Sequence, residues 1–153
     1  MGKLPVVRIT KQFRFEAAHA LLNYDGLCSH IHGHSYMLSV TIKGSPMADP
    51  TSPKCGMVMD FSQLKQIIQD TITGPLDHSL MLNANTPLKE LAGADQLFGR
   101  VVTLPYQPTC ENMIVDFAAR IQMQLSPNIS LHSLCLHETS TSFAEWHASD
   151  NGI

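Results

Sequence analysis

The run Cys28-Ser29-His30-Ile31-His32-Gly33-His34 gathers a thiol and several imidazoles into one short stretch, and Phe13-Arg14-Phe15-Glu16-Ala17-Ala18-His19 ends on another imidazole upstream. Imidazole is the commonest metal ligand, and a thiolate is either a ligand or a reactive base and nucleophile. Three histidines around a metal with an open fourth position are the pattern of a catalytic zinc, whereas a cysteine in the fourth position closes a structural site. Cys28 thus has two readings, fourth ligand or free base within reach of the metal's charge. The plain alternative is a group of hydrogen-bonded surface histidines. A cupin-type H-x-H site would add a glutamate a few residues on, where Met37, Leu38 and Ser39 stand.

Three further groups can carry chemistry. Asp77-His78 sets a carboxylate beside an imidazole, an arrangement that orients an acid/base; the competing reading is a turn aspartate and an exposed histidine. Glu138 shares the parity of Leu134 and Leu136, and a carboxylate ending an apolar strand face needs donors. It could accept from the amino and ring N–H edge of a guanine-like ligand, or be a solvated strand end. Glu111 is a second candidate carboxylate, although its place in the first turn of a helix already suits it. Cys55, Cys110 and Cys135 read as structural thiols.

Strand parity decides which histidines can meet. Val7, Ile9, Phe13, Phe15 and Ala17 alternate with polar residues, and so do Tyr36, Leu38, Val40 and Ile42. Both runs read as half-buried strands. His19 prolongs the inward parity of the first, and His32 and His34 that of the second. Paired as a hairpin, the two strands bring His19, His32 and His34 together; His30 lies in the loop and is left out. A loop at 43–54 is followed by a helix capped by Asp60 or Ser62, with Phe61, Leu64, Ile67, Ile68 and Ile72 on its apolar face and Gly74-Pro75 as its stop. The segment 76–108 reads as a long connection with one short helical turn around Pro87 to Leu91. Pro108-Thr109 opens a second helix along Ile114, Phe117, Ala118, Ile121 and Leu125. Strands at 130–138 and 142–148 close the chain. The expected fold is α+β, a four-stranded antiparallel sheet with two helices on one face in ββααββ order.

Bulk properties exclude several classes. At 153 residues the chain is expected to be one domain, 1–153. A net charge of −3 gives no basic footprint, so nucleic acid is not an expected partner, while an anionic small substrate remains open. No stretch reads as a signal peptide or a membrane span. Four cysteines without CxxC pairing fit reduced thiols in the cytoplasm.

Six ordered blocks carry a resemblance: Phe15-Glu16-Ala17-Ala18-His19, the Cys28 to His34 run, Gly56 to Lys65, Leu76-Asp77-His78, Pro108 to Asn112, and His137-Glu138-Thr139. Together they span about Phe13 to Trp146, and the chain resembles the 6-pyruvoyl-tetrahydropterin synthase superfamily, which includes the bacterial 6-carboxy-tetrahydropterin synthases of the queuosine and 7-deazaguanine pathway. The resemblance implies the tunnelling fold, with trimers closing a barrel, two trimers often stacking into a hexamer, and active sites between subunits of the homo-oligomer. It implies zinc on His19, His32 and His34, Cys28 as catalytic thiol, Asp77 and His78 as its acid/base relay meeting a neighbour's Cys28, and Glu138 as the pterin anchor with Thr109 and Glu111 nearby. The implied substrate is 7,8-dihydroneopterin triphosphate. Side-chain loss would give 6-carboxy-tetrahydropterin, acetaldehyde and triphosphate; internal redox and phosphate elimination would give 6-pyruvoyl-tetrahydropterin. The segments Phe15 to His19, Glu138 to Ser142 and Ala144 to Trp146 resemble the carboxy-forming group more closely. The alternatives are the pyruvoyl-forming enzyme and a non-catalytic zinc or pterin-binding module. Two departures stand out: Ala20 where the family often has arginine, and a longer segment at 86–107.

Overall fold

The structure, a computed structural model, describes residues 4–87, 97 and 99–153. Its centre is the expected hairpin. Strand β1 (Val7–His19) and strand β2 (His32–Gly44) run antiparallel in unbroken register from Val7↔Gly44 to His19↔His32. Alternation sets that register, because a one-residue slip would turn every apolar side chain to the opposite face. Phe15, Ala17, Tyr36, Leu38, Val40 and Ile42 are buried on one face, while Arg8, Thr10, Gln12, Arg14 and Glu16 occupy the other.

The helices cover the apolar face. Helix α1 (Phe61–Ile68) is capped by Asp60, whose carboxylate accepts from the Ser62 N–H at 2.8 Å. Helix α2 (Cys110–Gln122) is capped by Thr109, whose hydroxyl accepts from the Asn112 N–H at 3.3 Å. Leu64, Ile68 and Ile72 from the first helix and Met113, Ile114, Phe117, Ala118 and Ile121 from the second join the strand residues in one apolar cluster. At its middle Phe15 stacks on Tyr36, ring centroids 5.0 Å apart, and meets Phe117 edge-on at 6.3 Å.

The α+β class and the two helices agree with the sequence reading; the sheet is larger and mixed. Strand β3 (Ser79–Asn83) lies parallel to β1 from Ala17↔Ser79 to His19↔Met81, and β4 (Val101–Leu104) lies parallel to β3. Strands β5 (Ile129–His137) and β6 (Phe143–His147) extend the other side antiparallel, giving six strands in the order β4-β3-β1-β2-β5-β6. The element order is therefore ββαββαββ, not ββααββ. Part of the expected connection at 76–108 is strand. Ser79 to Leu82 is buried throughout, so it shows no alternation, as expected for parallel strands packed on both faces. The turn expected at Pro87 to Leu91 falls, beyond Pro87, outside the described residues.

Gly74-Pro75 does not stop the first helix either. The chain passes into a π turn, Gln69–Thr73, and then a last helical turn, Gly74–Leu76. A Cβ at Gly74 would lie 2.5 Å from the Gln69 carbonyl oxygen, so the widened turn needs glycine there. Among the described residues no helix is long and apolar enough to cross a membrane.

Candidate functional site

The end of the central hairpin carries the histidines. His19 and His32 are register partners and His34 follows two residues on, so all three side chains emerge on the inner face. One nitrogen from each lies within 4.8 Å of the others. Their ring protons are directed away from one another. His19 Nδ1 donates to the Pro108 carbonyl at 2.7 Å, and His32 Nδ1 donates to the His30 carbonyl at 2.8 Å. Both rings then present bare Nε2 lone pairs, and these face each other across 3.0 Å. His34 Nε2 is buried and, among the described residues, has no hydrogen-bond partner.

Facing lone pairs and an orphaned imidazole nitrogen repel unless a cation lies among them. In a tetrahedral zinc site, Zn–N bonds of about 2.0–2.1 Å set ligand nitrogens roughly 3.3 Å apart. Ring N–H groups held by carbonyls fix the tautomer that leaves Nε2 for the metal. The donor set fits a divalent cation of zinc's kind. Burial holds both His19 and His34 below the ordinary imidazole value, which favours the neutral, ligating form.

Cys28 sits in a short 3₁₀ turn, Leu27–Ser29, in the loop between the two strands. Its sulfur does not join the histidine group: among the described residues, the donor atoms close enough to share a metal there are the three imidazoles. It lines the cavity beside them instead. That cavity, about 300 Å³, is bounded by His19, Cys28, Thr109, Glu111 and Glu138, with Leu21, Tyr24 and Phe143 as apolar walls. The Glu138 carboxylate stands 3.7 Å from both His19 Nε2 and His34 Nε2. A second thiol, Cys110, also lines it, but donates to the Leu136 carbonyl at 3.1 Å and is pushed up to about 12 by burial. It is a packing thiol.

Asp77 and His78 lie elsewhere on this protomer. They precede β3 and hang from β1: the Glu16 N–H donates to Asp77 Oδ1 at 2.9 Å, and the His78 N–H donates to the Glu16 carbonyl at 2.6 Å. The first of these bonds holds the Asp77 carboxyl below its ordinary value, with His78 adding to it. His78 Nδ1 is 3.1 Å from Asp77 Oδ1, so the pair is a real dyad. The His78 ring is 78% exposed and its backbone is left-handed, φ 56°. It lines a different cavity from Cys28, with Glu16, His34, Ser35 and Arg100.

The geometry is therefore a three-imidazole group suited to a cation, opening on a cleft with a thiol and a carboxylate, plus an exposed acid/base dyad in a second cavity that His34 also lines. The family model of 6-pyruvoyl tetrahydropterin synthase matches residues 8–149. The chain belongs to that family. It is 34% identical over 141 residues to the 6-carboxy-5,6,7,8-tetrahydropterin synthase of Haemophilus influenzae, covering 91% of this chain and 97% of that protein. It is 33% identical over 138 residues to the Synechocystis protein of the same name, covering 90% and 91%. Among solved structures, 6-pyruvoyl tetrahydropterin synthase of Caenorhabditis elegans superposes with a TM-score of 0.68 at 24% identity, covering 97% of this chain and 99% of that one, so the fold is the family's.

Several site residues escaped the sequence reading. The Pro108 and His30 carbonyls that set the tautomers are backbone groups, for which side-chain identity gives no signal. Tyr36, read only as a core residue, places its hydroxyl 3.4 Å from His19 Nδ1, and burial raises its pKa far above the ordinary tyrosine value. Tyr24 and Phe143 are apolar side chains in polar surroundings, a faint sign that they wall a cleft.

Proposed function

We propose that this family member is a zinc-dependent 6-carboxy-5,6,7,8-tetrahydropterin synthase. It converts 7,8-dihydroneopterin triphosphate and one water, which supplies the second carboxylate oxygen, to 6-carboxy-5,6,7,8-tetrahydropterin, acetaldehyde and triphosphate, as a cytoplasmic step of queuosine and 7-deazaguanine synthesis. The observation that carries the reading is the set of inward Nε2 lone pairs on His19 and His32 with unpaired His34 Nε2, beside a cleft holding Cys28 and Glu138. The names of the Haemophilus and Synechocystis relatives support the carboxy product.

Zinc on His19, His32 and His34 would act as a Lewis acid toward the side-chain oxygens next to the pterin. The rest falls to the chain's own groups. Glu138 accepts from the amino and ring N–H edge of the pterin, and the apolar walls exclude water from its faces. Thr109 and Glu111 stand at the cleft's rim, where they help seat the ring. The Cys28 thiolate removes a proton from the substrate side chain. Asp77 orients His78, which gives or takes the second proton. Because that dyad and Cys28 line separate cavities of one protomer, the working site is shared between neighbours in a homo-oligomer, a trimer or stacked hexamer.

The test is incubation of the zinc-loaded protein with 7,8-dihydroneopterin triphosphate and identification of products by mass. Acetaldehyde with 6-carboxy-tetrahydropterin is expected. Exclusive 6-pyruvoyl-tetrahydropterin overturns the product assignment, and absence of turnover overturns the enzyme reading in favour of a binding module.

A further inference from the structure

We propose that Arg14, Lys65 and Arg100 form an oligophosphate-binding cradle beside the Asp77-His78 dyad, and that it takes the phosphate tail of the substrate. The inference rests on the proposed function for the identity of the tail and on this chain's geometry for the cradle. The three cations line one cavity of about 420 Å³ together with Gln69, Thr73 and Asp77. They come from strand β1, from α1 and from the residue preceding β4, so tertiary structure alone assembles them.

Among the described residues, none pairs its charge with a neighbour. Among the described residues, the lysine and arginine that make ion pairs are Lys54, with Asp60, and Arg120, with Asp116. Among the described residues Asp77 is the one carboxylate on the cavity wall, and its Oδ1 is already engaged by the Glu16 N–H and by His78. Three cations against one occupied carboxylate leave a surplus of positive charge, in a chain whose net charge is −3. Arg100 is held in place by donating to the Gly74 and Pro75 carbonyls at 2.6 and 3.1 Å through one nitrogen, which leaves the rest of its fork to bind.

The π turn has a role here. A π helix needs more residues per turn than an α helix, and such turns concentrate at functional sites. Gln69 and Thr73, four residues apart at the two ends of this turn, both line the cavity, where an amide and a hydroxyl add neutral donors. Arg100 also lines the cavity that holds His78, so an anion in the cradle adjoins the dyad. A substrate whose side chain is worked on by the dyad would lay its triphosphate on the same protomer.

The probe is inorganic tripolyphosphate, titrated calorimetrically into the zinc-loaded protein, alongside steady-state kinetics. Arg14→Gln and Lys65→Gln should each weaken tripolyphosphate binding roughly tenfold, as expected for an exposed charge-assisted contact. Each should raise KM for the triphosphate substrate by a similar factor, with kcat changed less than about threefold, because ground-state binding alone is removed. Arg8→Gln, on the same face of β1 but outside the cavity, should leave both unchanged. Equal weakening by Arg8→Gln, or binding indifferent to Arg14 and Lys65, overturns the cradle. Tripolyphosphate binding that depends on the cations in a protein without turnover keeps the cradle and rejects the proposed function; turnover with cation-independent KM does the reverse.

Discussion

Replacing Cys28 by alanine separates a metal-closing thiol from a catalytic one. The three imidazole donors lie within 4.8 Å of one another without the cysteine sulfur, and the Zn–S bond of a ligand would be about 2.3 Å. Four-ligand structural zinc sites have apparent binding free energies of about 10–16 kcal/mol, so one ligand accounts for about 3 kcal/mol, or roughly a hundredfold in affinity. His32→Ala, which removes one of the three donors, should weaken zinc binding by about that factor. Cys28→Ala should change it by less than about threefold, while turnover falls by about 10²–10⁴, the range for loss of an acid/base group. Competition against a chromogenic chelator at fixed pH gives the affinities, and product formation gives the rates. A roughly hundredfold loss of zinc affinity in Cys28→Ala would refute the reasoning and return the site to a closed structural one.

Phe117→Ala should destabilise the fold by about 3–5 kcal/mol in urea, since Phe117 is fully buried against Phe15 at the centre of the core; a loss below about 1 kcal/mol would mean that the helix repacks and the aromatic cluster is not the keystone. Burial lowers His19 and His34 from 6.5 in the folded, metal-free protein. The unfolded chain then binds the extra protons, so stability is full above about pH 6.5 and is lost as pH falls through that value, levelling off below the folded pKa values. Urea midpoints of chelator-treated protein should be lower near pH 5.5 than near pH 7.5, and an unchanged midpoint contradicts this sign. His78 occupies a left-handed backbone, which costs a non-glycine residue about 1 kcal/mol or more. Because glycine's larger unfolded entropy offsets the relief, His78→Gly should leave stability within about 0.5 kcal/mol while abolishing turnover. A loss above 1 kcal/mol would show that the histidine is structural.

The hairpin was legible because its faces differ. Polar and apolar residues alternate through β1 and β2, and that period alone carries His19, His32 and His34 to one side. The helices were legible from capping at Asp60 and Thr109 and from their apolar stripes. Strand β3 was not, because burial on both faces erases alternation, and the four residues of β4 are too few for a period. The π turn leaves no compositional mark; it shows only as Gly74 packed against the Gln69 carbonyl. For the site, residue types gave the three clustered imidazoles and the cleft carboxylate. That Cys28 and the dyad line different cavities had to come from the fold, as did the meeting of Arg14, Lys65 and Arg100.

Strand β1 ends in His19, one of the three clustered imidazoles, and three residues earlier its Glu16 backbone grips Asp77 and His78. One strand thus serves two centres under the proposed shared-site arrangement, its own protomer's and a neighbour's. The unit of inheritance for activity is then the ring and not the polypeptide. A Cys28→Ala chain and a His78→Ala chain, each inert alone, should complement when co-expressed, with about one site in four receiving both intact groups in a random equal mixture. Mutations in this protein should accordingly pair into two rescue groups, divided by which end of β1's machinery they damage.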